Sequence, residues 1–340
     1  EKVIVQMFGQ GADQCWVFLP DSPRPEEAPV VVFLHGWGDM NPRAYGAWIR
    51  HLVRRGQIVV FPRFQLGLRT PVDDMTPNAL RAVQAAWNRL QREGPVRPQA
   101  GQLAVVGYSI GGFVAANLAV AAAQSGLPAP AALMVVHPAN GQQWMQNPRW
   151  LLQLEGLDRI AESTLILAVV GDADRLAKDL GAREILRAAT RVPRRNKALI
   201  TLVSDDHPDP PLHAGHGAPR AADPVFLADL ELEGGSPVGS GGRSGRGFPG
   251  GPRRERRSND DHGRGQAGRE AGAEAASDYR LTSPDTLDYY GYWRLCDELL
   301  DAAFRGADRR GLFDPTPQQR FMGVCSDGVA VKELIVHQDL

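Results

Sequence analysis

The chain has 340 residues, 43% of them hydrophobic and 23% charged, with a formal net charge of −1. That suits one or two soluble globular domains with a sizeable core. The balanced charge argues against a nucleic-acid or strongly acidic partner.

Val3–Phe8 and residues 15–19 are apolar runs separated by Gly9-Gln10-Gly11, a hairpin pattern. A Pro-rich loop over 21–29 leads into residues 30–34, a short apolar run rich in β-branched side chains. Such a run reads as a strand buried on both faces. Helix and strand then alternate. A helix is predicted over 43–55, a strand over 57–61, and a helix over 78–91 capped by Asn78 and closed by Gly94-Pro95. Strand 103–106, helix Ile110–Gln124, strands 131–136 and 164–170, helix 176–189 and strand 198–203 follow. Residues 103–123 are apolar enough to cross a bilayer, but Gly107, Ser109, Gly111 and Gly112 interrupt them. A buried strand, a turn and a buried helix explain the stretch better, so no stable membrane span is expected. The alternation predicts an α/β fold with a mostly parallel central sheet and helices on both faces. Ligands then bind beyond the carboxyl ends of the strands.

From 231 to 277 Gly, Arg, Ser and Pro dominate, and few apolar side chains remain to offset ordering entropy. The composition predicts a disordered, solvated insertion between a core of 1–230 and a C-terminal unit of 278–340. In that unit 285–304 reads as an amphipathic helix with Leu287, Tyr290, Leu295, Leu299 and Ala303 facing inward, and 323–336 as short strands. Cys15, Cys296 and Cys325 form no disulfide framework. They are expected as free, buried or half-buried thiols, with a Cys296–Cys325 bridge left open. The chain starts at Glu1 rather than Met, which fits a processed, exported form.

The strongest motif is Gly107-Tyr108-Ser109-Ile110-Gly111-Gly112, a Gly-x-Ser-x-Gly sequence between the buried strand and the small-residue helix. A sharp strand-to-helix turn needs glycine on both sides of the serine. It lifts the hydroxyl to the sheet edge, at a helix N-terminus that favours developing negative charge. With this motif the chain resembles the α/β-hydrolase superfamily over about residues 30–219. Within it, the chain is similar to bacterial esterase, lipase and cutinase-like serine hydrolases. The resemblance implies an α/β-hydrolase fold with a short cap over 138–163, and Ser109 as nucleophile. His35-Gly36-Trp37-Gly38-Asp39 occupies the place of the His-Gly turns of lipases and esterases. The N–H groups of Trp37 and Ile110 are the expected oxyanion donors.

A serine hydroxyl needs a base, and the base an orienting carboxylate. In this fold the order is Ser, acid, His. The acid falls in Gly171-Asp172-Ala173-Asp174, where relatives usually use the carboxylate three residues after the glycine. That favours Asp174, with Asp172 the alternative. The base follows strand 198–203. The candidates are His207, His213 and His216. His216, in a Gly-His-Gly-Ala-Pro setting like the catalytic-His loop of cutinase-like hydrolases, is favoured, with His207 nearer the strand end as the alternative. His35 and His137 are expected to be structural. Trp37, Tyr108 and Trp144 are the expected substrate contacts. Asp205, Asp206, His207, Asp209, His213 and His216 are dense, yet no HExxH or EF-hand spacing occurs. Neither metal nor cofactor is expected. The function expected is hydrolysis of small-molecule carboxylic esters through Ser109, Asp174, His216 and an acyl-enzyme. A serine peptidase or amidase, or an inactive hydrolase-fold binding protein, are the alternatives.

Overall fold

The computed structural model describes residues 2–140, 148–223, 226 and 283–340. The segment expected to be a disordered insertion, 231–277, lies outside the described residues, as does Trp144.

One mixed sheet organises the chain. Its strands are β1 Val3–Phe8, β2 Cys15–Pro20, β3 Glu27–Leu34, β4 Ile58–Pro62, β5 Arg97–Tyr108, β6 Ala132–Val136, β7 Leu165–Gly171, β8 Lys197–Leu202 and β9 Ile335–Val336. Their order in the sheet is β1-β2-β4-β3-β5-β6-β7-β8-β9. The run from β4 to β8 is parallel, while β1, β2 and β9 pair antiparallel at the two edges. Side chains alternate between the faces with the two-residue period of a strand. Val30, Val32 and Leu34 therefore enter one core layer and Val31 and Phe33 the other.

The first layer is closed by α2 Val72–Glu93, α3 Ile110–Gln124 and α4 Leu180–Ala188, and the second by α1 Gly46–Arg54 and α5 Arg294–Arg305. Helix α3 is buried on all sides from Ile110 to Val120, which explains why its sequence is apolar all round. Among the described residues no helix is long and apolar enough to cross a membrane. All three cysteines are free, and Cys15 and Cys296 are buried.

Three elements differ from the sequence reading. Asn78 does not cap α2, which starts at Val72 and carries Pro77 inside it. The Asn78 side chain instead donates 3.0 Å to the Phe64 carbonyl. Residues 323–336 form only a bridge, Val324 to Ala330, besides β9. The amphipathic segment also does not run at 3.6 residues per turn throughout. Leu287–Trp293 is a π-helix, and α5 continues from it. The wider turn rotates Tyr290 outward and brings Tyr292 and Trp293 into the core. That shift has a consequence at the sheet's carboxyl edge.

Asp288 in the same turn is 1% exposed. One carboxylate oxygen accepts the Asp285 N–H at 3.0 Å, and the other is buried without a hydrogen-bond partner among the described residues. Burial, with a smaller contribution from the Asp285 charge, pushes its carboxyl well above the usual range. The fold therefore keeps a proton that the unfolded chain releases, and stability drops as pH rises from the usual carboxylate range toward the elevated folded value. Asp288→Asn is expected to raise the thermal midpoint at pH 8, with a gain that shrinks to nothing below about pH 4. A midpoint unchanged across that range would contradict the buried neutral carboxyl.

Candidate active site

At the carboxyl edge of the parallel strands, β5 ends at Tyr108 and α3 begins at Ile110, so Ser109 alone makes the turn. Its backbone sits at φ +55°, ψ −123°, a conformation non-glycine residues rarely adopt. The surroundings enforce it. Ser109 N–H donates to Val136 at 3.0 Å, and its carbonyl accepts from Gly112 at 2.9 Å. A Cβ at Gly107 would overlap the Gly111 carbonyl, and one at Gly111 would overlap the carbonyls of Leu34 and His35. Both glycines are therefore fixed by close backbone approach.

His216 Nε2 lies 2.9 Å from Ser109 Oγ, and His216 Nδ1 lies 2.9 Å from Asp174 Oδ2. A carboxylate only accepts, so Nδ1 carries the proton and Nε2 faces the serine hydroxyl as acceptor. The loop after β8 reaches this place through several ties. Asp205 and Leu212 exchange backbone hydrogen bonds at 2.9 and 2.8 Å, closing the residues between them into a protruding loop. Asp172 accepts from Ser204 Oγ at 2.6 Å, and Ser204 Oγ accepts from Ala214 N–H at 3.0 Å. The Tyr108 hydroxyl then donates 2.8 Å to the His216 carbonyl.

These ties separate the alternatives. His207 sits in the protruding loop, and its Nε2 is 2.7 Å from Asp327. The structure does not bring it to Ser109. Asp172 holds Ser204 rather than a histidine. Tyr108, expected at the substrate, is 1% exposed and uses its hydroxyl under the His216 loop, so its position is that of a support.

Asp174 follows β7 and is 3% exposed. Its Oδ1 accepts from the N–H groups of Leu176 and Ala177 at 2.9 and 2.8 Å. Its Oδ2 accepts from His216 and also from His137 Nδ1 at 2.8 Å. Burial pushes the carboxyl up, but the hydrogen bonds and charges of His137 and His216 outweigh it and hold the group well below the usual carboxylate range. Asp174 thus stays ionised through acid pH.

The loop after β3 is pinned on both sides of Trp37. Gly36 N–H donates to the Tyr45 hydroxyl at 2.9 Å and Gly38 N–H to Gln65 Oε1 at 3.0 Å. Tyr45 donates in turn to Asp39 Oδ2 at 2.8 Å, and Arg220 donates to Asp39 Oδ1 at 2.6 Å. Arg220 lies four residues after His216, so this buried ion pair joins the Trp37 loop to the His216 loop. His35 is buried beneath, stacked on Phe64 with ring centroids 4.0 Å apart. Trp37 is half-buried and meets Trp150 edge to face at 4.9 Å. Ile110 opens α3, where the helix ladder offers its N–H no acceptor.

Sequence reading took His137 as structural, with a pocket-facing place as the alternative, named Asp39 only as the end of the His35–Asp39 turn, and did not place Tyr292 or Arg220 in the site. For His137 a signal existed: it ends a parallel strand, directly before Pro138. For Tyr292 and Arg220 the chain separation is too large and no motif marks them. Two groups of metal-ligand-type side chains occur among the described residues, His137 with Asp174 and His216, and His207 with Cys325 and Asp327. In the first, Asp174 accepts from both histidines; in the second, a hydrogen bond joins His207 to Asp327.

Residues 15–154 match a family described as Chlorophyllase. That stretch holds the Trp37 loop and Ser109 but neither Asp174 nor His216. The chain is 26% identical over 226 residues to the methylphloroacetophenone synthase of Cladonia uncialis, a match covering 63% of this chain and 8% of that protein. The chain thus spans about 8% of the length of the curated relative it matches. Among solved structures, it is similar to one of two fungal esterases from Rhizomucor miehei, with TM-score 0.50 and 16% identity over 67% of this chain and 80% of that one. It is also similar to carboxyl esterase 2 of Tuber melanosporum, with TM-score 0.46 and 15% identity over 67% and 82% of the two chains.

Replacing Arg220 leaves the Asp39 carboxylate buried against Tyr45 without its cation. Arg220→Met is expected to cost about 3–5 kcal/mol in urea denaturation. Asp39→Asn combined with Arg220→Met should recover part of that, since no charge is then left unpaired. A double variant no more stable than the single one would contradict the pairing.

Proposed function

We propose that this chain, a member of the α/β-hydrolase superfamily by fold, hydrolyses small-molecule carboxylic esters with Ser109 as nucleophile, His216 as base and Asp174 as its orienting carboxylate. One observation carries the reading: a serine in a strained backbone conformation lies 2.9 Å from an imidazole whose other nitrogen faces a buried carboxylate. The Rhizomucor esterase fold supports it.

In this reading Ser109 Oγ attacks the ester carbonyl as its proton passes to His216 Nε2. The carbonyl oxygen takes the negative charge, and in this reading the N–H groups of Ile110 and Trp37 donate to it. Helix α3 adds the positive end of its dipole at the same point. Collapse of the intermediate breaks the carbon–oxygen bond to the alcohol, which leaves with the proton from His216. Water then attacks the acyl-Ser109 ester while His216 takes its proton; the bond between the acyl carbon and Ser109 Oγ breaks, the carboxylic acid leaves, and His216 returns the proton to Oγ. Asp174 remains an anion throughout and stabilises the imidazolium. Trp37, in the loop after β3, with Trp150 edge to face against it, would in this reading favour an apolar acyl or alcohol group.

A fluorophosphonate probe followed by peptide mapping tests the nucleophile, and hydrolysis of p-nitrophenyl esters tests the reaction. Labelling is expected on Ser109 alone. Ser109→Ala and His216→Ala should each lower kcat by about 10⁴-fold or more, while His207→Ala stays within about twofold of the parent. Well-folded protein that takes no label, or that loses labelling with His207→Ala but not with His216→Ala, would overturn the assignment. Gly111→Ala forces the α3 turn away from β3, and it should abolish labelling even where the chain still folds.

A further inference from the structure

Asp174 holds two histidines on one oxygen. Oδ1 is occupied by the N–H groups of Leu176 and Ala177, so Oδ2 alone meets the rings, with His216 Nδ1 at 2.9 Å and His137 Nδ1 at 2.8 Å. His137 is fully buried and sits at φ +46°, and its N–H donates 2.8 Å to the Val169 carbonyl of β7. Its Nε2 lies 2.8 Å from the hydroxyl of Tyr292, which is also fully buried. The chemistry of each end decides the protons. The carboxylate only accepts, so His137 Nδ1 bears hydrogen; in the neutral ring Nε2 then accepts from the Tyr292 hydroxyl. The result is one line: Ser109, His216, Asp174, His137, Tyr292. Ester hydrolysis as described above gives His137 and Tyr292 no bond to substrate.

We infer that His137 is a positioning residue, locked in its Nδ1–H tautomer by Tyr292, that fixes Asp174 Oδ2 toward His216. This rests on the assignment of Ser109, Asp174 and His216 given above.

Three features support a positioning role over plain packing. A ring that only filled space would not need a polar partner at each nitrogen in a fully buried place. The left-handed backbone of His137 is a cost that an extended residue at the end of β6 would avoid. Without His137, the Asp174 carboxylate could turn its Oδ2 away from His216, because Oδ1 is the only oxygen held by backbone donors. Tyr292 reaches the ring because the π-helix turns it inward, so residues beyond the segment 231–277 complete the line behind the base. Burial first, and then the neighbouring Asp288, Asp285, Tyr108 and Asp174, favour the protonated, donating form of Tyr292.

The test compares His137→Ala, His137→Asn and Tyr292→Phe in the full chain. Asn tolerates the left-handed backbone and places an N–H near the position of Nδ1. His137→Ala is expected to lower kcat for p-nitrophenyl esters by about 10–100-fold with KM unchanged, the size typical of removing a partner that orients a functional ligand. His137→Asn should restore most of that loss, and Tyr292→Phe should fall between it and the parent. Proton NMR of resting, ¹⁵N-histidine-labelled protein needs no substrate, so it separates this inference from the hydrolase reading. Two downfield imidazole N–H signals are expected, from His216 and His137. Tyr292→Phe should broaden the His137 signal by faster exchange and leave the His216 signal in place. A single downfield signal in the parent chain would overturn the inference. So would full activity in His137→Ala, or an equal loss in the Ala and Asn variants with unchanged thermal midpoints. If His137→Ala does not fold, the parent spectrum and Tyr292→Phe still decide.

Discussion

Everything at the site depends on one backbone turn that ordinary residues avoid. Ser109 at φ +55° lets β5 pass into α3 without an intervening loop, and it leaves the hydroxyl at the carboxyl edge of the sheet. The turn survives because its neighbours leave no alternative. Gly107 and Gly111 let backbones approach within what a Cβ would fill, and the buried helix α3 is seated against β3, β5 and β6. Strain of this kind costs of order 1–3 kcal/mol and persists only where packing over-determines it. Here two core layers, one on each face of the sheet, do so.

From that fixed point the remaining groups are brought in by loops, and loops need tethers. The His216 loop is long, yet Asp205 with Leu212, Asp172 with Ser204, and Tyr108 with the His216 carbonyl reduce its freedom at three places. The Trp37 loop is tied to it through Asp39, Tyr45 and Arg220. Asp174 joins both sides with four accepted hydrogen bonds, which explains how a carboxylate remains ionised while buried. In the proposed reaction, pre-organisation of this type would remove reorganisation from the reacting step.

The sequence revealed most where a local rule applies. Strand β5, the serine turn and α3 are legible because a Gly-x-Ser-x-Gly sequence sits between an apolar run and a helix of small residues. The parallel character of the central sheet follows from alternation, whereas its crossover, with β4 between β2 and β3, does not. Position after β7 and β8 narrowed the candidate acid to Asp172 and Asp174 and the candidate base to His207, His213 and His216; tertiary contacts then carry His207 outward through the Asp205–Leu212 closure and occupy Asp172 with Ser204. Asn78 is a cap-type residue ahead of a helical stretch, but α2 runs back past Pro77 to Val72. Tyr292 was hidden by its period. A 3.6-residue repeat puts Tyr290 inward, and only a π-turn reverses the two. No pattern in the sequence announces such a turn, nor that Tyr292 and His137 meet across 155 positions.

The central claim is that the serine turn presents Oγ to a carbonyl carbon while two backbone N–H groups face the oxygen. A structure of the chain with an alkylphosphonate bonded to Ser109 Oγ tests it directly. The account requires the phosphonyl oxygen to lie at about 2.7–3.1 Å from the backbone nitrogens of Ile110 and Trp37, with His216 still bonded to Asp174. A phosphonyl oxygen turned toward solvent, with neither nitrogen in reach, would contradict it.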